Sequence, residues 1–193
     1  MQYLLKNENE EEEEELEVVK VTGNEMYYYG EINNENTLEF VEKFKRLEQH
    51  LLRISAEILN FEPEIRVHIC SEGGDLFCGF SLMNLLEKSR VRVVTIAQGA
   101  CCSAATFMLL GGDERRIARN AYILIHQLSS GMWGKYEEMK DEIRTCEKFM
   151  KMIRATYMTK TKIPEKKLDR LMKRDVYLEP SKAIKHLIVH AYD

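Results

Sequence analysis

Three residues in this sequence, Ser103, His126 and Asp175, are of the types that together hydrolyse an amide or ester bond. A serine hydroxyl attacks a carbonyl carbon when a nearby imidazole takes its proton and a carboxylate orients that imidazole. Each residue alone has an ordinary explanation, because serines cap helices, histidines are often structural and acidic residues are abundant here. The chemistry therefore depends on whether the fold brings the three side chains together.

The elements before Ser103 and His126 are predicted to deliver both residues to one edge of a sheet. Ser103 follows a β-branched strand, Val91–Ala97, and is expected near the start of an apolar helix from about Cys101 to Leu110. A helix start has unpaired N–H groups and a positive dipole end, which suit a developing oxyanion. His126 follows a second predicted strand, Tyr122–Ile125. The carboxyl ends of parallel strands share an edge, so the two residues are expected there.

A pair of glycines, Gly73 and Gly74, supplies further backbone donors at the same predicted edge. They follow the strand Ile65–Cys70, whose residues alternate as in a half-buried strand. Their N–H groups could hold an oxyanion beside Ser103. A plain turn is the other interpretation, and it is the more frequent role of a Gly-Gly pair.

The remaining pattern predicts an α/β protein with parallel strands joined by crossover helices. Short strands are expected at Val18–Val21 and Met26–Tyr29, followed by a long helix that begins near Asn36. That helix has a predicted apolar stripe of Leu38, Val41, Phe44, Leu47, Leu51, Ile54 and Ile58. Further helices are expected at about Asp75–Ser89, Gly134–Thr159, Pro164–Leu171 and from Pro180 onward.

Composition favours one domain of ordinary size, with 193 residues of which 45% are hydrophobic. Residues 1–17 hold eight Glu and one Lys, so a mobile acidic tail is expected before a single domain over residues 18–193. No apolar run approaches the roughly 20 residues that span a bilayer. No secretory signal is evident either, so a cytoplasmic protein with no membrane partner is expected. Basic residues are scattered, so no nucleic-acid partner is expected. The five cysteines fit no zinc spacing, and no metal is expected.

Four sequence blocks resemble the proteolytic subunits of Clp proteases, in the same order and spacing. Gly99-Ala100-Cys101-Cys102-Ser103 resembles the family's Gly-x-Ala-Ala-Ser segment, and Ile123 to Gln127 resembles its Met-Ile-His-Gln strand. Lys173 to Leu178 resembles its Arg-Asp-x-(Phe/Tyr)-(Met/Leu) segment. Ser71-Glu72-Gly73-Gly74 stands where the family has Ser-Pro-Gly-Gly. Each block alone is weak, but the combination is specific.

The resemblance implies a Clp protease or crotonase-like fold of stacked β-β-α units, as in enoyl-CoA hydratases. It also implies a long N-terminal helix and a handle helix for ring pairing, with the handle at about 127–145 and Gly131 and Gly134 giving its loop freedom. Subunits would form two stacked heptameric rings that enclose the active sites. A partner AAA+ unfoldase ATPase would use ATP to feed polypeptide substrates into the chamber, and this chain itself would need no cofactor.

The resemblance also implies the role of each site residue in a serine endopeptidase. Ser103 would attack the peptide carbonyl and form an acyl-enzyme, His126 would act as base and then acid, and Asp175 would orient the imidazole. The backbone N–H groups of Gly73 and Ala104 would form the oxyanion hole.

Several departures from the family pattern keep other functions open. Glu72 replaces a proline, Cys101-Cys102 replaces smaller residues, and the Glu run differs from the usual N-terminal gate. This divergence would suit a mobile genetic element or a plastid paralogue, in which case the compartment would be the host cytoplasm or an organelle stroma. One alternative is a catalytically weak or inactive ring subunit that regulates or mixes with another Clp-type peptidase. Another is an acyl-CoA enzyme of the related hydratase fold, which would not need the three residues.

Overall fold

The computed structural model describes residues 17–193, which form eight strands and six helices. The strands are β1 (Val19–Thr22), β2 (Glu25–Tyr29), β3 (Glu64–Ser71), β4 (Arg92–Cys102), β5 (Glu114–Ile117), β6 (Tyr122–Leu124), β7 (Tyr177–Leu178) and β8 (Ala191–Tyr192). The helices are α1 (Asn34–Glu57), α2 (Leu76–Glu87), α3 (Ala105–Leu110), α4 (Tyr136–Lys160), α5 (Glu165–Met172) and α6 (Pro180–Lys185). The α/β fold class predicted from the sequence is confirmed.

One mixed sheet contains all eight strands, and its central strands are parallel, as predicted. Strands β2, β3, β4 and β5 are parallel neighbours, while β1 pairs with β2 in antiparallel fashion. The long strand β4 pairs with β5 along its first half and with β6 along its second half. Strand β7 runs antiparallel to β6, and β8 pairs with β5. The carboxyl ends of β3, β4 and β6 therefore lie at one edge, which β7 also borders.

Helix α1 forms as predicted, and its buried face shares Phe44, Leu47 and Leu51 with the predicted apolar stripe but differs from that stripe at both ends. Asn33 caps the helix, since its side chain accepts a hydrogen bond from the Asn36 N–H at 2.9 Å. Phe40 and Phe44 stack and are fully buried, whereas the predicted stripe residue Leu38 is 61% exposed. The buried face comprises Thr37, Phe40, Phe44, Leu47, Glu48 and Leu51.

A buried carboxylate, that of Glu48, explains part of this difference. It accepts hydrogen bonds from the Arg90 N–H at 2.8 Å and the Ser89 hydroxyl at 3.1 Å, so it ties α1 to the turn before β4. A polar side chain with such partners can be buried, and an apolar pattern gives no sign of it.

The region just before Ser103 also differs from its prediction. Cys101 and Cys102 were expected to begin a helix, but they are the last residues of β4 and are fully buried. Helix α3 begins only at Ala105. The strand continues because its second half pairs with β6, a contact between residues 22 positions apart that local propensity does not reveal.

Residues 1–16 of the predicted acidic tail lie outside the described part of the chain. Its last residue, Glu17, is described, and its carboxylate forms an ion pair with Lys43 on α1. The division into a tail and one domain stays a prediction. Among the helices of residues 17–193, none is long and apolar enough to cross a bilayer.

Candidate active site

Ser103 occupies the turn that links β4 to α3, at the edge where the parallel strands end. Its backbone N–H donates to the Leu124 carbonyl of β6 at 2.9 Å, which continues the β4–β6 pairing by one residue. The same register pairs Cys102 with Leu124, so Ser103 lies beside the segment that carries His126. This placement confirms that both residues lie at one edge of the sheet.

The backbone at Ser103 is unusual for a residue with a side chain. Its φ of 52° lies in the left-handed region, where non-glycine residues are uncommon. Such conformations concentrate at functional sites, because the surrounding structure must hold them against their own strain. Here β4 fixes the turn on one side, and the Thr106 N–H bonded to the Ser103 carbonyl at 3.0 Å fixes it on the other.

The Gly73–Gly74 loop lies directly against Ser103. A Cβ on Gly73 would lie only 2.7 Å from the Ser103 Cβ and 3.1 Å from the Ala104 nitrogen, and the φ of Gly73 is 100°. Gly74, with φ 145°, approaches the Ile32 carbonyl so closely that a Cβ would lie 2.1 Å from its oxygen. Both positions therefore require glycine. The two predicted oxyanion residues, Gly73 and Ala104, are neighbours on either side of the serine.

Hydrogen bonds fix the loop against the segment before α1. The Ile32 N–H donates to the Gly73 carbonyl at 2.8 Å, and the Asp75 N–H donates to the Ile32 carbonyl at 2.7 Å. The Gly73 N–H donates to the buried Ser71 hydroxyl at 3.1 Å. In this conformation the Gly73 N–H is therefore already hydrogen-bonded within the protein. Its peptide group would have to rotate away from Ser71 before this N–H could bind a substrate oxyanion.

Ser103 and His126 line one cavity of about 290 Å³, which we call the Ser103 cavity. Its walls combine apolar side chains with polar ones such as Asp75, Ser129 and Glu142, and they come from α2, α3, α4 and the segment after β6. Phe77 of α2 and Phe149 of α4 meet edge to face across it, with ring centroids 5.1 Å apart. The cavity can hold an apolar side chain next to the serine. No motif in the sequence singled out these aromatic walls, although Phe77 follows the glycine loop by only three residues.

His126 differs from the other described histidines in its access to Ser103. His68 is buried within β3, stacks on Tyr27 and contacts the Gln98 side chain at 3.0 Å, while His50 is exposed on α1. His186 and His190 contact Lys167 and Arg115 near the C-terminus. Among residues 17–193, His126 is the one histidine that lines the Ser103 cavity.

Asp175 lies exposed in the segment between α5 and β7, outside the lining of the Ser103 cavity. The β6–β7 ladder brings its segment beside the strand that precedes His126, since Leu124, two residues before His126, pairs with Tyr177, two residues after Asp175. Beyond that pair the ladder ends, and the Gln127 N–H donates to the Met172 carbonyl at 2.8 Å. Within residues 17–193, no side-chain hydrogen bond joins Ser103, His126 and Asp175. The fold therefore brings Ser103 and His126 to one cavity, and it brings the segment of Asp175 beside the strand before His126.

Cys102 is a second potential nucleophile immediately before Ser103, but its environment makes it unreactive. Burial, together with the nearby carboxylate of Glu72, raises the pKa of the Cys102 thiol to about 12. A thiol attacks as the thiolate, so a neutral buried Cys102 is inert near neutral pH. Burial also raises the pKa of Cys101. Of Cys101, Cys102 and Ser103, it is therefore Ser103 that lines the cavity, and it does so together with His126.

Comparisons with known proteins agree with this geometry. A family model described as Clp protease matches residues 22–191. The chain belongs to the Clp protease family. Membership in this family of peptidases confirms the resemblance predicted from the four sequence blocks.

Individual Clp protease relatives are similar over most of the chain. The ATP-dependent Clp protease proteolytic subunit of Deinococcus radiodurans is 29% identical over 132 residues, which cover 67% of this chain and 65% of that protein. Subunit 2 from Treponema denticola is 29% identical over 162 residues, covering 83% of this chain and 76% of that protein. A ClpP1 mutant from Listeria monocytogenes has a similar fold, with a TM-score of 0.75 and 20% identity over 89% of this chain and 91% of that one.

Proposed function

We propose that this chain is a serine endopeptidase subunit in which Ser103 is the nucleophile. The observation that carries the proposal is the cavity shared by Ser103 and His126, bordered by the glycine loop. The Ser103 hydroxyl attacks the substrate carbonyl, and His126 takes its proton and returns it to the leaving amine. Water then hydrolyses the acyl-enzyme with His126 again as base. Asp175, two residues before the β7 residue that pairs with Leu124, orients the imidazole and stabilises its charged form.

The oxyanion of the tetrahedral intermediate is held in this proposal by the N–H groups of Gly73 and Ala104. They lie on either side of Ser103, as an oxyanion hole requires. Substrate binding would exchange the Gly73–Ser71 hydrogen bond for one to the oxyanion. The two consecutive glycines with positive φ make such a rotation of the peptide group feasible.

The assembly and partner that we propose follow from the family. The relatives are named as proteolytic subunits of an ATP-dependent protease. We propose that this chain likewise forms two stacked heptameric rings and degrades polypeptides that an AAA+ ATPase unfolds and delivers. The chain would then consume no ATP itself. Exposed apolar residues on α4 and the loop before it offer a surface for contact between rings.

The direct test is intact mass after exposure to a fluorophosphonate, which reacts with an activated serine. We expect one adduct on the parent chain and none on Ser103→Ala. Ser129 lines the same cavity, so Ser129→Ala is the matched control and should still form the adduct. Ser103→Ala should also lower kcat/KM for peptide hydrolysis by at least about a thousandfold.

The absence of an adduct on the parent chain would favour the alternative of a catalytically weak or inactive ring subunit. Such a chain would form no adduct and cleave no peptide alone, yet would copurify in rings with an active Clp-type subunit. An adduct that persists on Ser103→Ala would instead assign the nucleophile to another residue.

A further inference from the structure

A second cavity lies beside the glycine loop, and it borders the Ser103 cavity through Gly74, which lines both. We call it the Glu72 cavity. It has a volume of about 590 Å³ and is lined by Gly30, Glu31, Cys70, Ser71, Glu72, Gly73, Gly74 and Ala100. A polypeptide whose cleaved bond lies at Ser103 has residues on both sides of that bond. If one side occupies the Ser103 cavity, the other can cross the glycine loop into the Glu72 cavity.

The Glu72 cavity is lined by two carboxylates, those of Glu31 and Glu72. Both residues are exposed, and no lysine or arginine is among the described residues that line this cavity. Glu72 directly precedes Gly73, whose Cβ position would lie 2.7 Å from the Ser103 Cβ. Glu72 is therefore one residue away from the loop that contacts the nucleophile of the proposed peptidase.

The Glu72 carboxylate also acts on the residue just before the nucleophile. Burial and the nearby Glu72 carboxylate together raise the pKa of the Cys102 thiol. The charge of Glu72 therefore acts at the end of β4, next to the proposed site of reaction.

We propose that Glu72 is a specificity-determining residue, which selects substrates with lysine or arginine at the position that lies over the glycine loop. This inference rests on the proposed peptidase function. An ammonium or guanidinium group in the Glu72 cavity gains attraction to Glu72, with Glu31 adding to it, whereas a substrate carboxylate there is repelled. The interaction acts beside the cleaved bond, so it should change kcat/KM.

The experiment measures kcat/KM for peptides that differ at one position, with lysine, norleucine or glutamate placed on either side of the cleaved bond. For the position over the loop, we expect the parent to favour lysine over glutamate by about tenfold. Glu72→Gln should reduce this ratio to about twofold, since Glu31 remains, and Glu72→Lys should invert it. Rising salt should weaken the parent's preference.

Two further variants separate charge from loop structure. Glu72→Asp keeps the carboxylate and should retain the preference for lysine. Glu62→Gln, an exposed site before β3 at the opposite edge of the sheet, should leave the ratio as in the parent. A ratio that Glu72→Gln and Glu72→Lys leave unchanged overturns this inference while hydrolysis itself still supports the proposed function. If the parent cleaves no peptide and forms no fluorophosphonate adduct, the proposed function fails and this inference fails with it.

Discussion

Adjacent residues at the end of β4 differ in chemical role because their side chains lie in different surroundings. Cys102 points into a buried environment beside a carboxylate, and its raised pKa keeps it protonated. Ser103, one residue later, lies in a strained turn that presents it to the cavity. A thiol is the stronger nucleophile only as its thiolate, so environment rather than residue type favours the serine here.

At the same residue scale, we predict that Gly73→Ala removes most of the catalytic activity. The added methyl group would meet the Ser103 Cβ and the Cys102 carbonyl, at 2.7 Å and 2.8 Å, and would disfavour the positive φ that the loop needs. We expect kcat/KM for a peptide to fall by at least about a hundredfold, through loss of an oxyanion donor.

The matched control for this prediction is Gly131→Ala. A Cβ at Gly131 would meet no atom within 4 Å, so this variant should keep its kcat/KM and thermal midpoint near those of the parent. Full activity of Gly73→Ala would argue against an oxyanion role for the loop.

Single residues were predictable from the sequence where a chain of local signals led to them. The strands before Gly73, Ser103 and His126 were visible as apolar runs, and parallel pairing brought their carboxyl ends together as expected, although β4 extends five residues beyond its predicted end at Ala97. Asp175 was different, because one acidic residue among many carries no local signal and only the family resemblance singled it out. The β6–β7 pairing, which brings the segment after Asp175 beside the strand before His126, joins residues more than 50 positions apart.

At the scale of elements, α1 shows the limit of periodicity. Three- and four-residue spacing predicted the helix correctly, but it fitted two neighbouring faces, one through Leu38 and one through Phe40. Packing against the sheet selected the face with Phe40, which stacks on Phe44 and meets Tyr28 edge to face.

We therefore predict opposite outcomes for two truncations on α1. Phe40→Ala should lower the free energy of unfolding by about 3–5 kcal/mol, because it opens a cavity in the core. Leu38→Ala should change that free energy by less than about 0.5 kcal/mol, since Leu38 is 61% exposed. Urea unfolding monitored by circular dichroism measures both. A comparable loss for Leu38→Ala would place that side chain in an interface.

The contact between α5 and α6 gives a prediction for pH. His186 is buried, and its Nε2 lies 2.6 Å from the Lys167 Nζ. Burial and the neighbouring Lys167 charge lower the pKa of His186 below its usual value. As the pH falls below about 6.5, the unfolded chain therefore binds this proton before the folded one does, and stability declines.

We expect the thermal midpoint of the parent to fall between about pH 7.5 and about pH 5.5, and His186→Asn to show a smaller fall. His50→Asn, at an exposed position on α1, should retain the parent's pH dependence. Identical pH dependence of the parent and His186→Asn would show that other groups dominate this range.

For the whole molecule, the distribution of exposed apolar surface bears on the proposed double ring. Trp133 is fully exposed just before α4, and Ile143 on that helix is 48% exposed. Met132, Tyr136 and Met139 in the same region are also exposed. Exposed apolar clusters of this kind mark contact surfaces, and these residues fall in the segment that the resemblance assigns to ring pairing. The sequence predicted the helix, but it could not show which of its apolar residues would be left without intramolecular partners.

We predict that the double variant Trp133→Asp and Ile143→Lys halves the mass of the assembly, measured by size-exclusion chromatography with light scattering. Charged side chains would have to be desolvated between the rings, so single rings should separate while each subunit stays folded. Leu59→Lys is the control, because Leu59 is 90% exposed but lies outside this segment, and it should keep the parent's mass. Peptide hydrolysis measured on both species would show whether ring pairing is needed to close the hydrogen bonds among Ser103, His126 and Asp175. An unchanged mass in the double variant would contradict ring pairing through this surface.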